Sequence, residues 1–303
     1  MRICSLLPSA TETLYALGLG DSVVGITHEC DYPPEAAEKP ALIRPRVDPA
    51  ASPAEVDEQV RELIERGESI YGVDDELLRR LKPDLIITQD LCHVCAASPD
   101  DLATALTRLE KMPRVLSLTP HTIADVWDDI RRIGDATGHA AEAETLVAAL
   151  KKRVSHVEEV VSSAPERPRV VCLEWLDPAY AGGHWVPQMV TRAGGVDVLG
   201  RPGEPSFRVP WSRVLDARPE IVVAMPCGYS LARTVAEFKK MKLPARWGEL
   251  PAVRDAHVFA VDANSYFSRP SPRLADGVAL LAQLFHPSVA MQGVPVNAAH
   301  RLS

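Results

Sequence analysis

Soft metal-ligating side chains follow two of the short apolar runs in this sequence. His28 and Cys30 come directly after the run at residues 23–27, and Cys92 and Cys95 lie just beyond a later run. Thiolate and imidazole are ligands that zinc and related transition metals prefer, so these four residues form a candidate metal site. A single Cys-x-x-Cys pair with dispersed partners is more often a pair of free thiols or ligand contacts, and that alternative stays open.

Aromatic residues are concentrated in the loops that follow apolar runs, mostly in the second half of the chain. Only 5% of all residues are aromatic, so this concentration is informative. Aromatic surfaces with scattered hydrogen-bonding groups suit a large, partly apolar ligand. The candidate ligand-binding residues are Tyr71, Trp175, His184, Trp185, Tyr229, Tyr266, Phe267 and Arg269. For any single aromatic, a role in capping the core is an equally good interpretation.

The elements that must position these side chains are parallel strands. Continuous apolar runs of four or five residues, separated by helical stretches, predict α/β lobes whose strands are buried on both faces. In such sheets the ligand lies beyond the carboxyl ends of the strands, which is where the Cys, His and aromatic residues fall.

The pattern divides the chain into four segments. Residues 1–120 predict an N-terminal α/β lobe, and residues 121–165 a helical segment that contains one long helix with an apolar stripe. Residues 166–290 repeat the alternation of strands and helices as a C-terminal lobe, and residues 291–303 form a tail. We expect poor order after Pro287.

The composition excludes several classes of protein. The chain has 303 residues, of which 46% are hydrophobic and 24% charged, as in a soluble globular protein. A net charge of −8 argues against a nucleic-acid partner, and no apolar stretch is long enough to insert into a membrane. No secretory signal is visible, which predicts a cytoplasmic location, or a periplasmic or cell-surface one if the true start lies upstream.

Motifs for catalysis are missing from the sequence. It contains no Gly-x-Ser-x-Gly elbow, no phosphate-binding loop and no His-Glu-x-x-His, so we expect binding without catalysis. Glu174, Asp90 and Asp262 have the chemistry of an acid or base, but loop carboxylates of this kind are more often solvated or capping groups.

Several motifs together resemble a known family. They are Leu-Pro-Ser-Ala-Thr-Glu-Thr-Leu at 7–14, Asp-Tyr-Pro at 31–33, Leu-Lys-Pro-Asp at 81–84, Val-Pro-Trp at 209–211 and Ser-Pro-Arg at 271–273. In this order and spacing they resemble the class III, helical-backbone substrate-binding proteins of ABC importers for cobalamin, iron-siderophores and haem. The Asp-Tyr-Pro and Val-Pro-Trp elements are most similar to the vitamin B12-binding branch.

The resemblance implies two Rossmann-like lobes with mainly parallel sheets, bridged by one long helix, and a cleft that binds cobalamin or a related corrinoid. It implies that the protein is the substrate-binding component of an ABC importer, or that it is an intracellular carrier. The alternative is a metal-, haem- or siderophore-binding protein that uses the Cys and His loops, with or without redox chemistry.

The family also docks to permease arginines through one acidic residue per lobe. Glu76 stands at the matching position of the first lobe. In the second lobe, Trp211 is followed by Ser212 where the family usually has an acid.

Overall fold

The computed structural model describes residues 1–48, 50–89, 102 and 105–302. The chain divides into two compact units. The first consists of Met1–Pro120 and Ala124–Ala148, and the second of His121–Ile123 and Ala149–Ser303. The predicted helical segment 121–165 is therefore divided between the two units.

The first unit is built on a six-stranded sheet with the order β4-β3-β2-β1-β5-β6. All neighbouring strands are parallel except β3 and β4. The strands are β1 (Ile3–Ser5), β2 (Val23–Thr27), β3 (Ala41–Pro45), β4 (Tyr71–Val73), β5 (Leu85–Gln89) and β6 (Arg114–Leu118). Helices of the described residues up to the second sheet are α1 (Pro8–Ala16), α2 (Pro53–Glu65), α3 (Asp75–Leu81), α4 (Ile123–Thr137) and α5 (Ala140–Ser162).

The centre of this sheet is formed by its most apolar strands. Ile3 and Cys4 of β1 and Ile86 and Ile87 of β5 are fully buried. A central parallel strand is covered on both faces, which explains why these segments read as unbroken apolar runs.

The second unit has a seven-stranded sheet with the order β10-β8-β7-β11-β12-β13, and β9 pairs with β7. Its strands are β7 (Arg169–Leu176), β8 (Ala179–Ala181), β9 (Val196–Asp197), β10 (Phe207–Arg208), β11 (Ile221–Ala224), β12 (Val258–Val261) and β13 (Ala299–Arg301). Its helices are α6 (Val186–Arg192), α7 (Trp211–Asp216), α8 (Leu231–Lys240), α9 (Pro251–Arg254), α10 (Ala263–Tyr266) and α11 (Leu274–Phe285).

The predicted fold class is confirmed, with one refinement in the second sheet. Strands β7, β11 and β12 are parallel, but β8, β10 and β13 are antiparallel additions at the edges. These additions are too short to produce a recognisable apolar run, so the sequence did not predict them.

The predicted disorder of the tail is wrong for its last part. Residues 299–301 form β13, which pairs with β12 through Phe259, Ala260 and Val261. The sequence Ala-His-Arg has little strand propensity of its own, so the pairing partner decides the conformation here.

Candidate functional site

The carboxyl ends of three parallel strands lie side by side in the second unit, because β11 lies between β7 and β12. Ligands bind beyond this edge in α/β sheets. We define the strand-end site as the segments 174–185, 225–229 and 262–269. These segments contain every predicted ligand-binding residue except Tyr71, which lies in the first unit.

Trp175 and Tyr229 form an aromatic pair in the strand-end site. Their ring centroids are 5.3 Å apart and their planes are inclined by 64°, an edge-to-face arrangement. This geometry suits the quadrupoles of the two rings. Tyr229 is only 3% exposed, whereas Trp175 is half-buried, so Trp175 is the member of the pair with accessible surface.

Arg233 holds Tyr229 in place. Its guanidinium carbon lies 3.9 Å from the centre of the tyrosine ring, and Nη2 donates a hydrogen bond to the phenolic oxygen at 3.1 Å. Burial raises the pKa of Tyr229, and the charge of Arg233 opposes the rise. Arg233 was not among the predicted residues, although its position four residues after Tyr229, at the start of α8, favours contact between the two side chains.

Glu174 is half-buried at the end of β7, with its carboxyl group shielded from water. Desolvation raises its pKa to about 7, against the effect of hydrogen bonds from the Gly183 amide and the Ser206 side chain. The Gly183 amide donates to Oε1 at 3.0 Å. A solvated or capping carboxylate was predicted at this position, and that prediction is wrong because Glu174 points into the turn around Gly183. Asp262, by contrast, does cap α10 through the Ser265 amide at 3.0 Å.

The turn after β8 fixes the backbone of Gly183 and His184. A side chain at Gly183 would overlap the backbone of Pro205 and Ser206, so this position requires glycine. His184 has a φ of +48°, which is uncommon for a residue with a side chain. Its amide donates to the Glu204 carbonyl at 2.6 Å, which stabilises this conformation.

Hydrogen bonds also tie the loops of the strand-end site to each other. Trp185 Nε1 donates to the carbonyl oxygen of Phe267 at 2.8 Å, and both side chains are buried. The Gly228 amide donates to Ser268 Oγ at 3.1 Å. The loops are therefore held in one arrangement by protein contacts.

The predicted ligand-binding residues fall into two groups by exposure. Trp175, His184, Tyr266 and Tyr71 are half-buried, whereas Trp185, Tyr229, Phe267 and Arg269 are buried. A buried side chain acts on a ligand mainly by positioning its neighbours. Direct ligand contact remains a prediction for all eight residues.

At the corresponding edge of the first unit, the described residues include small polar side chains and one aromatic pair. The rings of the exposed His28 and the half-buried Tyr71 lie 5.8 Å apart by centroid distance. Cys30 is 3% exposed, and its Sγ lies 3.0 Å from Oγ1 of Thr11, which donates to Ser5 Oγ at 2.8 Å. His28 Nδ1 lies 3.0 Å from the Ile43 carbonyl oxygen. The side chains of Thr11, Ser5 and Cys30 thus bond to one another inside the unit.

The predicted metal site involves His28, Cys30, Cys92 and Cys95, and it remains a prediction. Cys92 and Cys95 lie outside the described residues. Within the described part of the chain, no three or more His, Cys, Asp or Glu side chains are grouped so that they could hold a metal ion.

The two positions matched to permease docking are both on the surface. Glu76 is exposed in the first turn of α3, a helix that begins after the Asp74 cap. Ser212 is exposed in the first turn of α7. None of the helices among the described residues combines the length and the apolar character that a membrane crossing requires.

Comparison with known proteins gives matches over nearly the whole chain. The family model for periplasmic binding proteins matches residues 3–265. The vitamin B12-binding protein of Vibrio cholerae serotype O1 is 25% identical over 278 residues, covering 91% of this chain and 86% of that protein. An uncharacterized ABC transporter substrate-binding lipoprotein of Bacillus subtilis is 26% identical over 294 residues, covering 94% of this chain and 80% of that protein.

A solved structure has the same fold. The periplasmic heme-binding protein from Pseudomonas aeruginosa superposes with a TM-score of 0.76 and 19% identity, covering 100% of this chain and 98% of that one. At this identity the likeness bears on the fold and not on the ligand.

Proposed function

The chain belongs to the periplasmic binding protein family, and we propose that it binds cobalamin or a related corrinoid. Proteins of this family bind small-molecule solutes without catalysis and work with ABC transporter permeases. The name of the Vibrio cholerae relative, which aligns with 91% of this chain, supports a corrinoid as the solute.

The observation that carries the proposal is the aromatic pair of the strand-end site. A corrin has an extended apolar face with amide groups around its edge, and such a ligand needs a rigid aromatic surface flanked by polar groups. Trp175 offers the surface, Tyr229 packs edge-to-face against it, and Arg233 lies over the ring of Tyr229. A surface already fixed by protein contacts loses little conformational freedom when a ligand binds.

Haem is the second candidate, and His184 is the observation that favours it. Burial and the neighbouring His121 lower the pKa of His184, which favours the neutral form of its half-buried imidazole. A neutral imidazole is a common axial ligand of haem iron. The shared fold of the Pseudomonas aeruginosa heme-binding protein is compatible with this alternative but does not favour it over a corrinoid.

Equilibrium dialysis against cyanocobalamin tests the proposal, because the bound vitamin is measured by its own absorbance. We expect saturable binding by the wild-type protein, weakened by about tenfold or more in Trp175→Leu, as for loss of a central aromatic contact. Trp211→Leu is the matched control, since Trp211 packs against Trp247 outside the strand-end site. Its affinity should equal that of the wild type.

A parallel haem titration separates the two candidates. The haem alternative replaces the corrinoid proposal if the wild-type protein binds haem but not cyanocobalamin, and if His184→Asn no longer binds haem. Equal losses of cyanocobalamin affinity in Trp175→Leu and Trp211→Leu would show that the aromatic pair is not the binding surface.

A further inference from the structure

Two histidine rings of the second unit lie close together, although the residues are 63 positions apart in the sequence. The ring centroids of His121 and His184 are 5.8 Å apart, and the ring planes are inclined by 37°. Zinc–nitrogen bonds of about 2.0–2.1 Å and a roughly tetrahedral angle place two imidazole centroids on one ion about 5–6 Å apart. The observed separation lies within that range.

The backbone around His184 is fixed by the turn after β8. Its amide donates to the Glu204 carbonyl at 2.6 Å, and its carbonyl accepts from the Gly203 amide at 2.9 Å. These bonds hold His184 at a φ of +48°. A side-chain-bearing residue in this conformation is kept only where the surroundings impose it, and such positions cluster at functional sites.

The segment that carries His121 is anchored to the same unit. The Ile123 amide donates to Gln188 Oε1 at 2.9 Å, and the Ile123 side chain is 2% exposed. His121 itself is exposed, whereas His184 is half-buried beside Trp185, with ring centroids 5.5 Å apart. One imidazole is thus exposed to solvent, whereas the other lies in the turn after β8.

The chemistry of this pair fits a transition metal. Imidazole nitrogen suits zinc, nickel and copper, and a metal ion binds only the neutral form. Oxygen-seeking cations such as magnesium and calcium prefer carboxylates and carbonyls, so the pair discriminates against them.

We propose that His121 and His184 together bind one divalent transition-metal ion of the zinc or nickel type. With two protein ligands the ion keeps open positions for water or a bound solute, as in open rather than structural sites. The proposed site uses no cysteine and does not depend on a corrinoid or haem as ligand.

Titration of the apo protein with Ni²⁺ under reducing-agent-free conditions tests the proposal. Nickel does not oxidise thiols, and a bound paramagnetic ion quenches the fluorescence of Trp185, whose ring lies 5.5 Å from that of His184 by centroid distance. We expect saturable quenching with one Ni²⁺ per chain. His121→Gln and His184→Asn should each weaken binding by about tenfold or more, and the double variant should fall little further. Asparagine suits the second position because it tolerates a positive φ.

Two controls exclude other binding sites. His156→Gln removes an exposed histidine from α5, and its titration should match that of the wild type. Cys92→Ser/Cys95→Ser should also leave the quenching unchanged. The proposal is overturned if no saturable quenching occurs up to millimolar Ni²⁺, if His121→Gln binds as tightly as His156→Gln, or if the cysteine variant loses the response. Because no organic ligand is present, these outcomes are independent of the corrinoid proposal.

Discussion

The two units present different chemistry where their parallel strands end. Among the described residues of the first unit, the ends of the central strands carry Thr11, Ser5 and Cys30, which are buried and bonded to one another. An accessible aromatic, Tyr71, lies there only on the outermost strand β4, beside His28. In the second unit the corresponding edge carries Trp175, whose ring is partly accessible, on a support of buried aromatic and charged groups. Buried groups that bond to one another offer little to a ligand, whereas an accessible aromatic on a central strand offers surface. We infer that ligand recognition depends more on the second unit.

The backbone packed against Gly183 predicts that alanine is far more damaging at this position of the second unit than at Gly25 of the first. In Gly183→Ala the new methyl group would overlap the backbone of residues 205 and 206, which cannot move aside. In Gly25→Ala it would lie 2.7 Å from the terminal carbons of Leu42 and Leu81, which are flexible side chains. We expect a loss of at least about 3 kcal/mol in unfolding free energy for Gly183→Ala and a smaller loss for Gly25→Ala.

Urea denaturation of both variants measures these losses. Gly248→Ala serves as control, because a methyl group there meets no atom within 4 Å. If Gly25→Ala proves the more destabilising variant, the turn around Gly183 is less tightly fixed than the structure indicates.

Each unit contains one carboxyl group with a raised pKa, so we expect stability to depend on pH in both units, over different pH ranges. Desolvation raises the pKa of Glu174 from 4.5 to about 7. The folded state therefore holds this proton more tightly than the unfolded state, and stability contributed by the group is lost as the pH rises through this interval. A shift of that size corresponds to roughly 3 kcal/mol. Burial raises the pKa of Asp129 in the first unit from 3.8 to about 6, so the stability due to Asp129 is lost over a lower pH range.

Unfolding free energies of Glu174→Gln and Asp129→Asn, measured between pH 4 and 8 alongside the wild type, test this difference. Relative to the wild type, Glu174→Gln should gain stability mainly between pH 4.5 and 7, and Asp129→Asn at lower pH. If the unfolding free energies of both variants change with pH as those of the wild type do, neither carboxyl group is desolvated in solution.

The smallest effect is expected for substitutions at the two surface positions that match the permease-docking residues of the family. Glu76 of the first unit is acidic, whereas Ser212 of the second is neutral, and both are exposed. An exposed ion pair contributes about 0–1 kcal/mol. Binding to an ABC corrinoid permease reconstituted in liposomes should therefore weaken by at most a few fold in Glu76→Lys and strengthen slightly in Ser212→Glu. A change in the opposite direction for either variant would contradict docking through these positions.

The sequence was sufficient to predict features that depend on local residue patterns. It was not sufficient for contacts between residues that are far apart in the chain. The apolar runs predicted the central strands, and Tyr229, Tyr266 and Phe267 lie beyond the carboxyl ends of β11 and β12 as expected. A role of these residues in binding stays a prediction. Burial of Glu174 could not be predicted, because it depends on residues 183 and 206, which a turn brings back onto the strand. The pairing of His121 with His184 depends in the same way on the anchoring of Ile123 by Gln188.

Hydrogen–deuterium exchange with and without cyanocobalamin tests the central claim most directly, because it reports on both units in one experiment. We expect protection concentrated in segments 174–185, 225–229 and 262–269 of the second unit, with less at the edge around Thr11 and Cys30. Protection confined to the first unit, or bound cyanocobalamin without protection in the strand-end site, would contradict the account.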